Sequence, residues 1–162
     1  MSMHVERWER YFLYASVAVL VAFFIAILAS IGEAGIHLPT DEAQVDPNVV
    51  VTQAPFDNPG LFETGDNQYE AVMVARMWQW TPDEIVVPEG AEVTFTITSP
   101  DVIHGFLVNN TAINAMVIPG QITKVTQTFD EPGEYKFVCH EFCGLANEQV
   151  GHHSMFGKVV VE

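Results

Sequence analysis

Both cysteines of this 162-residue chain fall within Cys139-His140-Glu141-Phe142-Cys143, and Gly151-His152-His153-Ser154-Met155 follows shortly after. Upstream stands another imidazole, in Asp101-Val102-Ile103-His104. Thiolate, imidazole and thioether are soft or borderline donors, a mixture that selects copper over magnesium, calcium or manganese. One Cys, two His and one Met would describe a mononuclear blue-copper site. The second Cys supplies one thiolate more than such a site uses. Two thiolates can bridge two ions, so a copper pair fits the donor set better. An extended segment would hold the sulfurs of C-x-x-x-C about 13 Å apart, so both reach one centre only if the chain curls into a loop after a strand ending at Val138. A disulfide is the competing reading on an oxidising side of a membrane. So small a loop adds little stability, and the disulfide leaves the neighbouring His and Met without a role.

The elements that must hold such a loop surround it. From Tyr69 onward, short runs of β character succeed one another over 70–80, 92–98, 105–108, 112–117, 123–129, 134–138 and 156–161. Alternation is clear in Val93-Thr94-Phe95-Thr96-Ile97-Thr98 and in Val125-Thr126-Gln127-Thr128-Phe129. Val87-Pro88-Glu89-Gly90, Ile118-Pro119-Gly120 and Glu131-Pro132-Gly133 separate the runs as turns. Roughly 90 residues of short strands predict an all-β Greek-key sandwich or small barrel. Residues 32–68, punctuated by Gly and Pro without sustained periodicity, read as a linker.

Ahead of the linker, the 21 residues from Tyr11 to Ile31 carry no charge. As a helix they span about 31 Å, close to the roughly 30 Å hydrocarbon thickness of a bilayer. The run exceeds the apolar core of a signal peptide and lacks the polar stripe of a helix buried in a soluble protein. It reads as a single membrane anchor. Arg7 and Arg10 precede it, and no basic residue follows until Arg76. The positive-inside bias then places residues 1–10 in the cytoplasm, a transmembrane helix over 11–31, and the linker (32–68) and β domain (69–162) outside the cell membrane. All but two of the 21 acidic residues follow Gly32, against four basic ones, Arg76, Lys124, Lys136 and Lys158. Such a domain disfavours nucleic acid and anionic lipid. Its acidity suits either a basic partner or solubility at high salt, where a Debye length of about 3 Å abolishes long-range steering.

DVIHGF at 101–106, the IPG turn at 118–120, PGEYKFVCHEFCG at 132–144 and HHSMFGKVVV at 152–161 resemble the copper-binding domain of subunit II of the haem-copper terminal oxidases. The single N-terminal anchor resembles the ba-type, B-family members. The resemblance implies a cupredoxin fold holding a mixed-valence copper pair, the CuA centre. It implies Cys139 and Cys143 as bridging thiolates, His104 as the upstream imidazole, Met155 as a weak thioether ligand and Glu141 as the donor of a backbone carbonyl. The second imidazole departs from the family pattern, because the position four after Cys143 is Asn147. His152 keeps the family's His-x-x-Met spacing and is favoured, with His153 as the alternative. Residues 146–150 then read as a five-residue insertion, which costs little loop entropy.

If the run over 70–80 is a strand, Trp78 and Trp80 are read as facing opposite sides, one buried and the other exposed, and the resemblance implies an aromatic surface patch where an electron donor docks. The Glu141 carboxylate is a candidate for a magnesium or manganese site shared with the catalytic subunit. No Ser-His-Asp set, phosphate loop or open metal position marks a catalytic site in this chain. The implied role is therefore the electron-entry subunit of an oxidase. Electrons would arrive from cytochrome c or a blue-copper protein and leave to haem in subunit I, for oxygen reduction and proton pumping. The alternative is a membrane-tethered mononuclear blue-copper carrier.

Overall fold

The computed structural model of the protein describes residues 6–33 and 44–162. Residues 1–5 of the expected cytoplasmic N-terminus and 34–43 of the expected linker lie outside the described residues. The chain divides into two units, Met1–Asp41 and Glu42–Glu162. The first contains helix α1, Arg7–Glu33. Its stretch Arg7–Ala29 has a mean hydropathy of 2.7 and is long and apolar enough to cross a membrane. The helix runs past the uncharged segment at its N-terminal end, because Arg7, Trp8, Glu9 and Arg10 continue the backbone ladder before the apolar run begins. Trp8 and Tyr11 meet there edge to face at 6.1 Å.

The second unit is a sandwich of two five-stranded sheets. Its strands are β1 (Gly60–Gly65), β2 (Gln68–Arg76), β3 (Gln79–Thr81), β4 (Glu84–Val87), β5 (Ala91–Thr98), β6 (His104–Val108), β7 (Asn114–Val117), β8 (Thr123–Phe129), β9 (Gly133–Cys139) and β10 (Phe156–Val161). One sheet has the order β1-β2-β5-β8 with β3 added on β2; the other runs β4-β10-β9-β6-β7. The chain changes sheets between neighbours, so β2 pairs with β5 in parallel and β4 with β10 in parallel. Among the expected runs, 70–80 breaks at Met77-Trp78 into β2 and β3. The expected runs include neither β1, which lies between Gly60 and Gly65 within the expected linker, nor the four-residue β4.

Alternation buries one face of each sheet. On β5, Ala91, Val93, Phe95 and Ile97 are all fully buried. They meet Phe106 and Phe137 of the opposite sheet, with ring centroids of Phe95–Phe106 at 5.2 Å and Phe106–Phe137 at 5.4 Å. Trp80 from β3 packs on Phe106 at 5.3 Å. Each such pair contributes about 0.5–1.5 kcal/mol beyond its buried area.

Strand β2 does not alternate: Ala71 to Ala75 are buried without a break. Ala71, Met73 and Ala75 join the main core, and Val72 and Val74 join a second cluster with Val50 and Phe56. Here the linker expectation is corrected. Residues 44–59 lie over the outer face of the first sheet as a strap, pinned by a bridge between Gln44 and Gln121 and by the Val45 N–H donating to the Gly120 carbonyl at 3.0 Å. Pro47, Pro55 and Pro59 punctuate this segment, and its Val50 and Phe56 cover Val72 and Val74.

Trp78 and Trp80 differ in burial, but not through strand alternation. Trp80 is 1% exposed in the core, whereas Trp78 is half-buried. Residues two apart on one strand would share a face. The two indoles differ because Trp78 sits in the turn before β3 begins at Gln79.

Replacing Phe56 by Ala is expected to destabilise the β unit by about 3 kcal/mol, read as a lowered midpoint in chemical denaturation. A tether would respond by less than about 0.5 kcal/mol.

Candidate metal centre

Three strand ends bring the predicted residues to one pole of the second sheet. His104 opens β6 opposite Val117, Cys139 closes β9 opposite Phe106, and Met155 immediately precedes β10. The Cys139 N–H donates to the Met155 carbonyl at 3.0 Å, locking the β9 end to the β10 start. The His140 N–H donates to the Gly105 carbonyl at 3.2 Å and ties the cysteine loop to β6. A Cβ on Gly105 would collide with the His140 ring, so glycine is required for this close approach.

The loop brings the two sulfurs to 3.7 Å, both cysteines buried and unbonded. At a metal–thiolate bond of about 2.3 Å, that separation subtends an angle of about 107° at a shared ion, near tetrahedral. The other donors divide between the two sulfurs. On the Cys139 side, Sγ lies 3.1 Å from the Glu141 carbonyl oxygen and 3.8 Å from His104 Nδ1. On the Cys143 side, Sγ lies 3.8 Å from both His152 Nδ1 and Met155 Sδ. The ligand atoms of His104, Cys139 and Cys143 all fall within 4.8 Å of one another, a cluster able to hold a metal ion. The donor set and its spacing fit soft metal ions.

His152 and His153 separate clearly. A short 3-10 turn over His152–Ser154 turns His152 toward Cys143 and leaves His153 exposed. The residues read as an insertion form a closed loop, bounded by the Leu145–Gly151 bridge. The Asn147 carboxamide oxygen accepts the Gln149 and Val150 N–H groups at 2.8 Å each. Asn147 thus closes the loop, and no donor is lost where the family pattern places an imidazole. His140 and the Glu141 side chain face solvent.

Sequence reasoning gave Asp101 no role, although it stands three residues before His104. Its Oδ1 accepts His104 Nε2 at 2.9 Å and the Val102 N–H at 2.7 Å, and its Oδ2 accepts the Met77 N–H at 2.8 Å. The carboxylate holds Nε2 as the protonated nitrogen, which leaves Nδ1 as a lone-pair donor toward Cys139. Burial pushes the Asp101 carboxyl up, but the Met77, His104 and Val102 donors outweigh it and hold it below the usual range. Burial disfavours the His104 imidazolium, but Cys139 and Asp101 outweigh that and raise its pKa.

The thiols titrate as a pair. Burial pushes the Cys139 thiol up, but hydrogen bonds with His104, the Gly105 backbone, His152 and Cys143 bring it down to about 6. Burial and the neighbouring Cys139 charge drive Cys143 up to about 12. In reduced, metal-free protein the ultraviolet thiolate absorbance should therefore rise in one step near pH 6, leaving one thiol protonated until about pH 12. Two equal steps near the ordinary thiol value of about 8.5 would contradict the geometry.

A family model for the periplasmic domain of cytochrome c oxidase subunit II matches residues 67–160. A cytochrome c oxidase subunit 2 of Thermus thermophilus is 41% identical over 159 residues, covering 96% of this chain and 92% of that protein. A second Thermus thermophilus cytochrome c oxidase subunit 2 is 46% identical over 121 residues, covering 74% of this chain and 86% of its own length. A chain in the cryo-EM structure of a heme-copper terminal oxidase dimer superposes with a TM-score of 0.72 at 36% identity, covering 96% of this chain and all of that one (100%). The fold is the cupredoxin-like sandwich that the motifs implied, with one N-terminal apolar helix that fits a membrane-anchored subunit. The chain belongs to the cytochrome c oxidase subunit II family.

Proposed function

We propose that this chain is the electron-entry subunit of a haem-copper terminal oxidase, with a binuclear copper centre held by His104, Cys139, the Glu141 carbonyl, Cys143, His152 and Met155. The observation that carries this reading is the division of donors across two unbonded sulfurs 3.7 Å apart. Each sulfur has an imidazole nitrogen at 3.8 Å, His104 on Cys139 and His152 on Cys143, with His152 reaching toward Cys139 as well, and each has one weak donor besides, the Glu141 carbonyl on Cys139 and the Met155 thioether on Cys143. A mononuclear blue-copper site would use only one of these thiolates. When bound, a copper pair supplies a one-electron relay whose charge change is spread over two ions and two sulfurs. The chain's own residues do the rest. The buried pole excludes water, the β scaffold fixes the donor atoms, and Asp101 orients His104.

In this reading the domain takes electrons from a cytochrome c or a blue-copper protein and delivers them to haem in subunit I, where oxygen is reduced and protons are pumped. Trp78, half-buried beside the cysteine loop, is the better placed of the two indoles for electron entry; Trp80 lies in the core. Arg7 and Arg10 favour a cytoplasmic N-terminus, with the copper domain on the opposite side of the membrane. A magnesium or manganese ion at the subunit boundary would use the exposed Glu141 carboxylate at the same pole.

Copper analysis with electron resonance tests the assignment. The expected result is two copper ions per chain, a purple colour and the seven-line pattern of one unpaired electron shared by two equivalent copper nuclei. One copper with an intense blue band would make the chain a tethered blue-copper carrier. His152→Ala should abolish the seven-line spectrum, and His153→Ala should preserve it.

A further inference from the structure

The turn between β2 and β3 touches both halves of the candidate centre. Its Met77 N–H donates to Asp101 Oδ2 at 2.8 Å, and the other oxygen of that carboxylate receives His104 Nε2 at 2.9 Å. One residue on, the Trp78 indole N–H donates to the Cys143 carbonyl at 3.2 Å. Cys143 is followed by Gly144 at φ +97°, a left-handed conformation that turns the chain back, so that the Gly144 carbonyl accepts the His152 N–H at 2.9 Å. Four hydrogen bonds and the intervening peptide links thus join the His104 ring through Asp101, Met77-Trp78 and Cys143-Gly144 to the His152 backbone N–H. The Trp78–Cys143 link joins residues 65 apart in sequence.

Inside the sandwich wall, His104 is held by β6, whereas Cys143 and His152 belong to a loop without strand pairing of their own beyond the Leu145–Gly151 bridge. Burial of the Cys143 sulfur leaves its backbone to be fixed from outside. Among the described residues, the indole N–H is the only hydrogen-bond donor to the Cys143 carbonyl.

We propose that the Met77-Trp78 turn, anchored by Asp101, is a clamp that sets the position of Cys143 relative to His104, so that Trp78 and Asp101 are positioning residues acting as one unit. This gives Trp78 a role through its N–H that is distinct from any role of its ring in electron entry. The proposal rests on the copper-pair reading above. The two are separable because the clamp is a property of the protein with or without metal.

The test uses the full-length protein and the variants Trp78→Phe, Asp101→Asn and their combination. Phe keeps an aromatic ring but has no N–H. Asn keeps the shape but must oppose an amide NH2 either to the Met77 N–H or to the donors from Val102 and His104. In reduced, metal-free protein carrying Cys139→Ser, where Cys143 is the sole thiol, Trp78→Phe should raise the rate at which a disulfide reagent labels Cys143. In the copper-loaded protein each single variant should speed copper loss to a chelator by about 10–100-fold, the range for groups that orient ligands. Each should also shift the reduction potential and the copper hyperfine splitting, which a loss of folding stability alone would not move. If the residues act through one chain of bonds, the double variant should lose copper little faster than the worse single variant. Labelling and potential unchanged in Trp78→Phe, or a double variant showing the full product of the two single effects, would overturn the clamp. A wild-type protein without two coppers but with faster Cys143 labelling in Trp78→Phe would instead overturn the copper-pair reading and leave the clamp standing.

Discussion

Two buried sulfur atoms held 3.7 Å apart without a bond between them are the feature around which the β unit is organised. In that surrounding the first proton leaves readily and the second does not, because a second thiolate would face the first across a short, poorly solvated gap. A cation between the sulfurs reverses the sign of that repulsion, and metal binding to such a pair releases the reluctant proton. The same pole supplies a donor set suited to copper. Two imidazole nitrogens, a thioether and a carbonyl oxygen approach the sulfurs at 3.1–3.8 Å. The arrangement is two-sided, which distinguishes it from a single-thiolate centre.

Holding six donors in register requires a stiff frame. The aromatic cluster of Trp80, Phe95, Phe106 and Phe137 lies directly beneath His104, with the Trp80 and His104 rings 6.4 Å apart. Dense packing of this kind transmits small displacements instead of absorbing them. A change in the core is therefore felt at the candidate donors. Donors on strand ends inherit that stiffness. Those on the 140–155 loop depend on hydrogen bonds to the loop backbone, from the Trp78 indole, within the Asn147 carboxamide turn and from the Ser154 hydroxyl at Gly151.

Strand patterning was readable wherever one face of a sheet meets the core and the other meets water, as on β5 and β8. On β2, read as part of a run over 70–80, five consecutive residues are buried, and periodicity cannot say what covers the second apolar face. That cover is the strap over 44–59, whose Pro47, Pro55 and Pro59 imitate a linker. Trp78 and Trp80 resisted assignment for a related reason. The chain turns between β2 and β3 at that point, so their spacing does not translate into shared or opposed faces. Asn147 departs from the family spacing, and its function as the loop's internal acceptor becomes visible only when the Gln149 and Val150 N–H groups are seen to converge on it.

The kinds of atoms available to a metal, the anchor-length apolar helix and the β class of the outer domain were all legible in the order of the residues. These are local properties: Cys139, Cys143, His152 and Met155 lie within 17 residues of one another, and strand and helix periods are read over short windows. Folding in three dimensions was needed to settle which histidine faces Cys143, how the donors divide between the sulfurs, and that Asp101 and Trp78 brace the site. Those facts depend on contacts between residues as far apart as Trp78 and Cys143, which exist only after two sheets have packed and brought separate turns to one pole.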